Sequence, residues 1–186
     1  MVRFLEEWYV PRKVIKPKQK VEYLSILDGK GALDEALDPG LDADRAVHIY
    51  RLMLFSRMYD ERMLILQRQG RIGTYGSCRG QEATHCAASI VMDRADWIAH
   101  TFREPGSFYH RGWPVERIIQ FWGGFEEGCC PPEGVNDLPI TVPIASQMPH
   151  AIGIAWAMKL KGRAEVVLCY CGDGGTSEGD FHESLN

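Results

Sequence analysis

The sequence predicts an α/β fold built on a doubly wound, mostly parallel sheet. Three features predict it. Helical and strand-like patterns alternate along the chain. The clearest strand, 164–171, is apolar without polar alternation, as in a strand covered on both faces. That strand runs directly into a glycine-rich turn and then a further helix, the arrangement in which open parallel sheets bind ligands.

Bulk properties narrow the class. The chain has 186 residues, 45% hydrophobic and 25% charged, which suits a soluble enzyme with a sizeable core. A net charge of −4 with interspersed signs offers no basic field for nucleic acid. No apolar run is long enough to span a bilayer, so no membrane partner is expected. Residues 1–20 carry Glu6 and Glu7 and then basic residues, without the apolar core of a secretory signal, and a cytoplasmic protein is expected. The six cysteines include no C-x-x-C pair and read as reduced and structural.

Each element follows from local pattern. Residues 1–42 read as an extended N-terminal arm, with Pro11, Pro17, a short apolar stretch at 23–27 and turns at Asp28-Gly29 and Asp38-Pro39-Gly40. Residues 43–186 read as one domain. Over 44–69, Val47, Tyr50, Leu54 and Met58 recur at helical spacing, Met63 and Leu66 continue the apolar side, Asp42 or Asp44 caps the start and Gly70 ends the run. Ile49, Met53, Phe55, Leu64 and Ile65 lie off that stripe, so more than one face should be buried, as for a helix inside an assembly. Helices are further expected at 81–92, at 114–122 with Pro114 in first position, and at 147–160, with a short strand at 97–102. Ser177 and Asp180 have capping-box spacing, which places a helix start just after the glycines.

The chemistry lies in Gly172-Asp-Gly-Gly-Thr-Ser-Glu-Gly-Asp180. Glycines at 172, 174 and 175 let an anion approach the backbone, and a helix N-terminus offers free N–H groups. Asp173 beside a diphosphate would repel it unless a divalent cation sat between them; Mg suits that role. The alternative is a tight turn in which Asp173 caps a helix. No G-x-x-x-x-G-K-[ST] occurs, and Ser177 replaces the third glycine of a dinucleotide G-x-G-x-x-G.

Five blocks in order give the chain a specific resemblance: Leu66-Gln-Arg-Gln-Gly-Arg-Ile-Gly-Thr-Tyr75, Gly80-Gln-Glu-Ala83, Phe102-Arg-Glu-Pro-Gly106, Ala145-Ser-Gln-Met-Pro149 and Gly172 to Asn186. Together they resemble the alpha subunits of thiamine-diphosphate-dependent 2-oxo acid dehydrogenases. The resemblance implies the thiamine-diphosphate-binding fold, here its diphosphate-binding module, incomplete at the C-terminus. It implies thiamine diphosphate and Mg as cofactors. Arg103 matches the arginine that contacts the diphosphate, and Phe102 stands where many members have tyrosine. Val142 and Ile144 match positions whose backbone holds the aminopyrimidine ring. Gly172, Gly174 and Gly175 match the phosphate turn, and Asp173 the Mg ligand. Thr141, Pro143, Ser146 and Gln147 match a potassium site found in some members.

The resemblance also implies partners. The glutamate that activates the cofactor belongs to the beta subunit in this family, and neither Glu82 nor Glu104 matches it. No catalytic residue is therefore assigned within this chain. The asparagine that completes the Mg shell lies beyond Asn186, and the chain alone is expected to be inactive. An α2β2 assembly passing an acyl group to a lipoyl-bearing acyltransferase is expected. Pyruvate is the first substrate choice, because Gly134-Val-Asn-Asp-Leu-Pro139 resembles pyruvate-type members. Branched-chain 2-oxo acids and acetoin follow. A non-catalytic assembly or regulatory subunit of the same fold is the reading from another class. Thr74 and Tyr75 either line a substrate pocket or pack. His85, His150 and His182 read as structural, and His110-Arg111 and Arg57–Arg62 as solvated or salt-bridged faces.

Overall fold

The computed structural model describes residue 20 and residues 22–186, which fall into two units, one ending at Leu41 and one spanning Asp42–Asn186. In the first unit Asp28 closes a small hairpin: its Oδ1 accepts the N–H groups of Lys30 and Ala32 at 2.8 Å, and Leu27 bridges Leu33 in antiparallel sense. The Pro11 and Pro17 region of the expected arm lies outside the described residues.

The second unit is an α/β arrangement. Its helices are α1 (Ala43–Arg68), α2 (Glu82–Ile90), α3 (Pro105–Arg111), α4 (Val115–Trp122), α5 (Gln147–Leu160) and α6 (Gly179–Leu185). Its strands are β1 (Trp97–Ala99) and β2 (Val167–Cys169), which pair in parallel with Ile98 opposite Leu168. Short 3-10 turns occupy Glu126–Cys129 and Asp173–Ser177. The chain crosses from β1 to β2 through α3, α4 and α5, and α5 packs against both strands. Segment 136–138 extends the sheet on the far side of β1, with Ile98 N–H donating to the Asn136 carbonyl at 3.0 Å and Leu138 N–H to the Ile98 carbonyl at 2.8 Å. The strand expected at 164–171 shrinks to three residues, all half-buried. The expected cover on both faces is therefore only partly met, and among the described residues no further strand pairs with the free edge of β2.

α1 begins where Asp42 Oδ1 accepts the Arg45 N–H at 2.7 Å. It ends at Gly70, whose φ of 67° lets Arg71 N–H reach back to the Leu66 carbonyl. Of the apolar side expected to be buried, Met63 and Leu66 are, but Val47, Tyr50, Leu54 and Met58 are all exposed. The buried side is Leu52, Ser56, Tyr59, Asp60, Met63 and Leu66. Both stripes have helical spacing, and Ser56 and Asp60 interrupt the buried one with polar atoms. Periodicity could not tell which side faces this chain's own core.

That core joins Tyr59, Met63 and Leu66 of α1 to Tyr75, Phe108, Trp113, Ile118 and Ile140. α3 was not expected from pattern, although Pro105 in its first turn and Gly112 with φ of 97° after its end are ordinary helix punctuation. Arg111, expected on a solvated or salt-bridged face, is salt-bridged but buried, with Nε 3.0 Å from Asp137 Oδ1; Trp113 Nε1 donates to the other oxygen at 2.8 Å. No described helix is long and apolar enough to cross a membrane.

Candidate cofactor cleft

β1 and β2 are parallel, so their carboxyl ends point the same way and the chain leaves the sheet there twice. After β1 it runs through His100 into the bend 101–104. After β2 it runs through Tyr170 and Cys171 into the turn Asp173–Ser177. A cleft of about 300 Å³ opens between them. Phe102, Arg103 and Glu104 line one side, Tyr170, Cys171, Gly172 and Asp173 another. Thr141, Val142 and Ile144 close a third, with Gln81, Thr84 and His85 of the α2 region. Six of the eight residues expected at a cofactor, Phe102, Arg103, Val142, Ile144, Gly172 and Asp173, thus share one cavity.

The bend that presents Arg103 is fastened by Glu104. Its carboxylate accepts the Thr101 N–H at 2.9 Å and the Thr101 hydroxyl at 2.6 Å. Burial pushes the Glu104 carboxyl up to about 7, against the lowering effect of those two bonds. Arg103 is exposed, has no carboxylate ion partner among the described residues, and lies with Cζ 5.3 Å from the Phe102 ring centroid. His85 closes the inner end, with Nε2 3.1 Å from the Ser56 hydroxyl; burial pulls its titration down to about 4, keeping the imidazole neutral.

Gly174 and Gly175 fall outside the cleft lining. Gly174 is exposed, and Gly175 is buried with its N–H donating to the Gly172 carbonyl at 3.0 Å. That N–H, expected to face a phosphate, is used to close the 3-10 turn. Gly175 serves close packing: a Cβ there would stand 2.7 Å from Cys171 Sγ and 3.0 Å from Ile144 Cγ2. The expected capping box is also absent. The 3-10 turn absorbs Ser177, α6 starts at Gly179 after Glu178, and no side chain caps it.

Of the residues matched to a potassium site, Thr141 lines the cleft, while Ser146 and Gln147 mark the start of α5 beside Pro143. Ser146 Oγ donates to the Pro143 carbonyl at 2.8 Å and Thr141 Oγ1 to the Pro139 carbonyl at 3.1 Å. Gln147 Nε2 donates to the Tyr170 carbonyl at 2.5 Å, and its buried Oε1 has no partner among the described residues. Ala145, between these groups and Ile144, has φ of 66°, unusual for a residue with a Cβ. Tyr75 is in the core rather than on the cleft, and Asp137 of the 134–139 block is buried beside β1.

No group of three or more His, Cys, Asp or Glu side chains that would hold a metal occurs among the described residues. Asp173 can therefore supply one carboxylate to a cation whose remaining ligands come from a bound phosphate or from elsewhere. All six cysteines are free.

An α/β module with an open cleft at the carboxyl ends of its parallel strands is the class these elements define. Residues 50–186 match the model of the family described as dehydrogenase E1 component, and the chain belongs to that family. It is 36% identical over 176 residues to the pyruvate dehydrogenase E1 component subunit alpha of Staphylococcus aureus, covering 94% of this chain and 48% of the relative. The protein of the same name from Bacillus cereus is 37% identical over 166 residues, 89% of this chain and 45% of the relative. That of Staphylococcus epidermidis is 35% identical over 176 residues. The chain spans about half the length of the curated relatives it matches.

Proposed function

We propose that this chain supplies the diphosphate-binding part of the alpha subunit of a thiamine-diphosphate-dependent pyruvate dehydrogenase, within a doubly wound thiamine-diphosphate-binding domain beginning near residue 43. The observation that carries the proposal is the convergence of Arg103, a cation without an ion partner among the described residues, and a hard oxygen ligand, Asp173, in one cleft at the ends of β1 and β2. A diphosphate needs the first, and a magnesium ion beside it needs the second. Val142 and Ile144 offer backbone groups and apolar side chains to the ring end of the cofactor. Gln147 Oε1, buried without a partner among the described residues, suits a monovalent cation beside the cleft.

When bound, thiamine diphosphate supplies the electron sink for decarboxylation of a 2-oxo acid. This chain's residues hold and orient it: Arg103 grips the diphosphate, Asp173 holds Mg, and Val142, Ile144 and Phe102 exclude water. The activating glutamate is assigned to a beta subunit in an α2β2 enzyme, and a lipoyl-bearing acyltransferase accepts the acyl group. Pyruvate is preferred because relatives 36% and 37% identical to this chain bear that name.

Calorimetric titration with thiamine diphosphate and Mg tests this reading. Asp173→Ala should abolish Mg-dependent binding and Asp173→Asn should weaken it severely. Arg103→Ala should cost on the order of 1.5–3 kcal/mol, roughly a ten- to hundred-fold loss of affinity. Unchanged affinity in the Asp173 variants would sink the metal assignment.

A further inference from the structure

The loop joining α1 to α2 is held by a carboxylate that none of the roles above uses. Asp60, on α1, is fully buried, and no cation pairs with it among the described residues. Its oxygens are satisfied instead by a single short stretch of chain. Oδ1 accepts the Tyr75 hydroxyl and the Cys78 N–H, each at 2.8 Å, and Oδ2 accepts the Ser77 hydroxyl at 2.9 Å. A buried carboxylate tolerates the loss of water only when its lone pairs are filled. These three donors therefore tie the position of 75–78 to α1. Two further bonds fasten the same loop: Tyr75 N–H donates to Gln67 Oε1 at 2.5 Å, and Gly80 N–H to Glu82 Oε2 at 2.9 Å.

At the middle of this loop Gly76 lies flush against the bend that carries Arg103. A Cβ built at Gly76 would stand 3.0 Å from Phe102 Cε2 and 3.3 Å from Arg103 Nε. The loop backbone is thus a wall on one side of the arginine stem, and the Phe102 ring stands beside its guanidinium. A free arginine at a surface has many rotamers to lose on binding an anion. One confined between a fixed backbone and a ring has fewer.

We infer that Asp60 is a positioning residue for the diphosphate site: by fixing the loop 75–78 it sets Gly76 as a wall against Phe102 and Arg103, so that the guanidinium is presented to the cleft before the anion arrives. The inference rests on the reading of Arg103 as the diphosphate contact. It requires glycine at 76, because any side chain would push into the ring and the arginine stem. It also requires the Tyr75 hydroxyl, which links loop to carboxylate from inside the core.

The test is calorimetry on the full polypeptide that carries this sequence, with thiamine diphosphate plus Mg and, separately, inorganic pyrophosphate plus Mg. Gly76→Val should weaken both ligands by about tenfold. Tyr75→Phe keeps the packing volume and should weaken both by a smaller factor, and Asp60→Asn by at least as much as Tyr75→Phe. The cofactor-free melting temperature of Gly76→Val should stay close to that of the parent, whereas Tyr75→Phe, which takes one donor from a buried carboxylate, should lower it and still fold. These two keep the test open if Asp60→Asn fails to fold. A loss seen with pyrophosphate itself locates the defect at the diphosphate end, which general loosening would not single out. If Gly76→Val and Tyr75→Phe bind both ligands as tightly as the parent while Arg103→Ala binds weakly, the positioning role is overturned and the cofactor reading stands. Losses of affinity that merely track losses of melting temperature overturn it too. If Arg103→Ala itself binds normally, both fall.

Discussion

Two buried residues beside the cleft, Gly175 and Ala145, have their identity set by space and backbone angle rather than by chemistry. Gly175 has no room for a methyl group, and the atoms it would strike, on Cys171 and Ile144, belong to residues that line the cavity. Gly175→Ala should lower the unfolding free energy by about 1–3 kcal/mol, as overpacking does, measured by denaturant titration. Ala145 holds a left-handed φ, which penalises any branched side chain. Glu104 makes a prediction in pH. Its carboxyl titrates near 7 when folded and near the ordinary value of about 4.3 when unfolded. Between these values the folded chain binds the proton more tightly, so this carboxyl's stabilising contribution is complete below about pH 4.3 and is lost as pH rises through about 7. From pH 4 to 8 the Glu104→Gln chain should therefore gain stability relative to the parent, on the order of 3 kcal/mol. His85, held neutral by burial, titrates in the opposite sense but does so in both chains and drops out of the difference. A constant difference across that range would contradict the buried carboxyl.

Among the elements, α3 depends most on a single contact. Arg111 at its end donates to Asp137 and also to the Asp93 and Asp96 carbonyls at 3.0 and 2.9 Å, so one guanidinium joins the helix to both flanks of β1. Arg111→Met would leave the Asp137 carboxylate buried with the Trp113 indole alone. The expected cost is about 3–5 kcal/mol, read from chemical denaturation. The sequence pattern did not reveal this helix, because its seven residues are too few for periodicity to show and its decisive charge reads as a surface arginine. Longer elements were legible. α1, α4 and α5 fall within a residue or two of their expected limits, since their punctuation (Asp42, Gly70, Pro114) is local chemistry. The cleft was legible where backbone and charge announce it, at Arg103 and at Gly172-Asp173. It was not legible at Glu104, His85 and Asp60, whose roles depend on segments brought together by folding. The capping box failed for a similar reason. Its spacing was present, but the 3-10 turn claimed Ser177 first.

For the whole molecule, the outward face of α1 is a large apolar surface open to solvent. Leu54, Phe55 and Met58 form, with Val115 and Ile119 of α4, an apolar groove of about 390 Å³, and Val47 and Tyr50 extend it along the helix. Exposed apolar area of this kind drives association. The chain by itself should therefore sediment as a self-associating species, and a sharp monomeric boundary with cooperative melting would count against that. The division of labour proposed above adds that the chain alone should release no carbon dioxide from pyruvate, even with saturating thiamine diphosphate, Mg and an artificial electron acceptor. The same buried architecture gives the molecule an internal clock. Cys78 and Cys86 are fully enclosed, and burial raises their titration to about 12 and about 11, whereas Cys130 is exposed. A thiol reagent should modify Cys130 at once and Cys78 only during moments when the segment held by Asp60 swings away. The ratio of the two alkylation rates then reports how often that segment opens, without any probe being introduced into the chain.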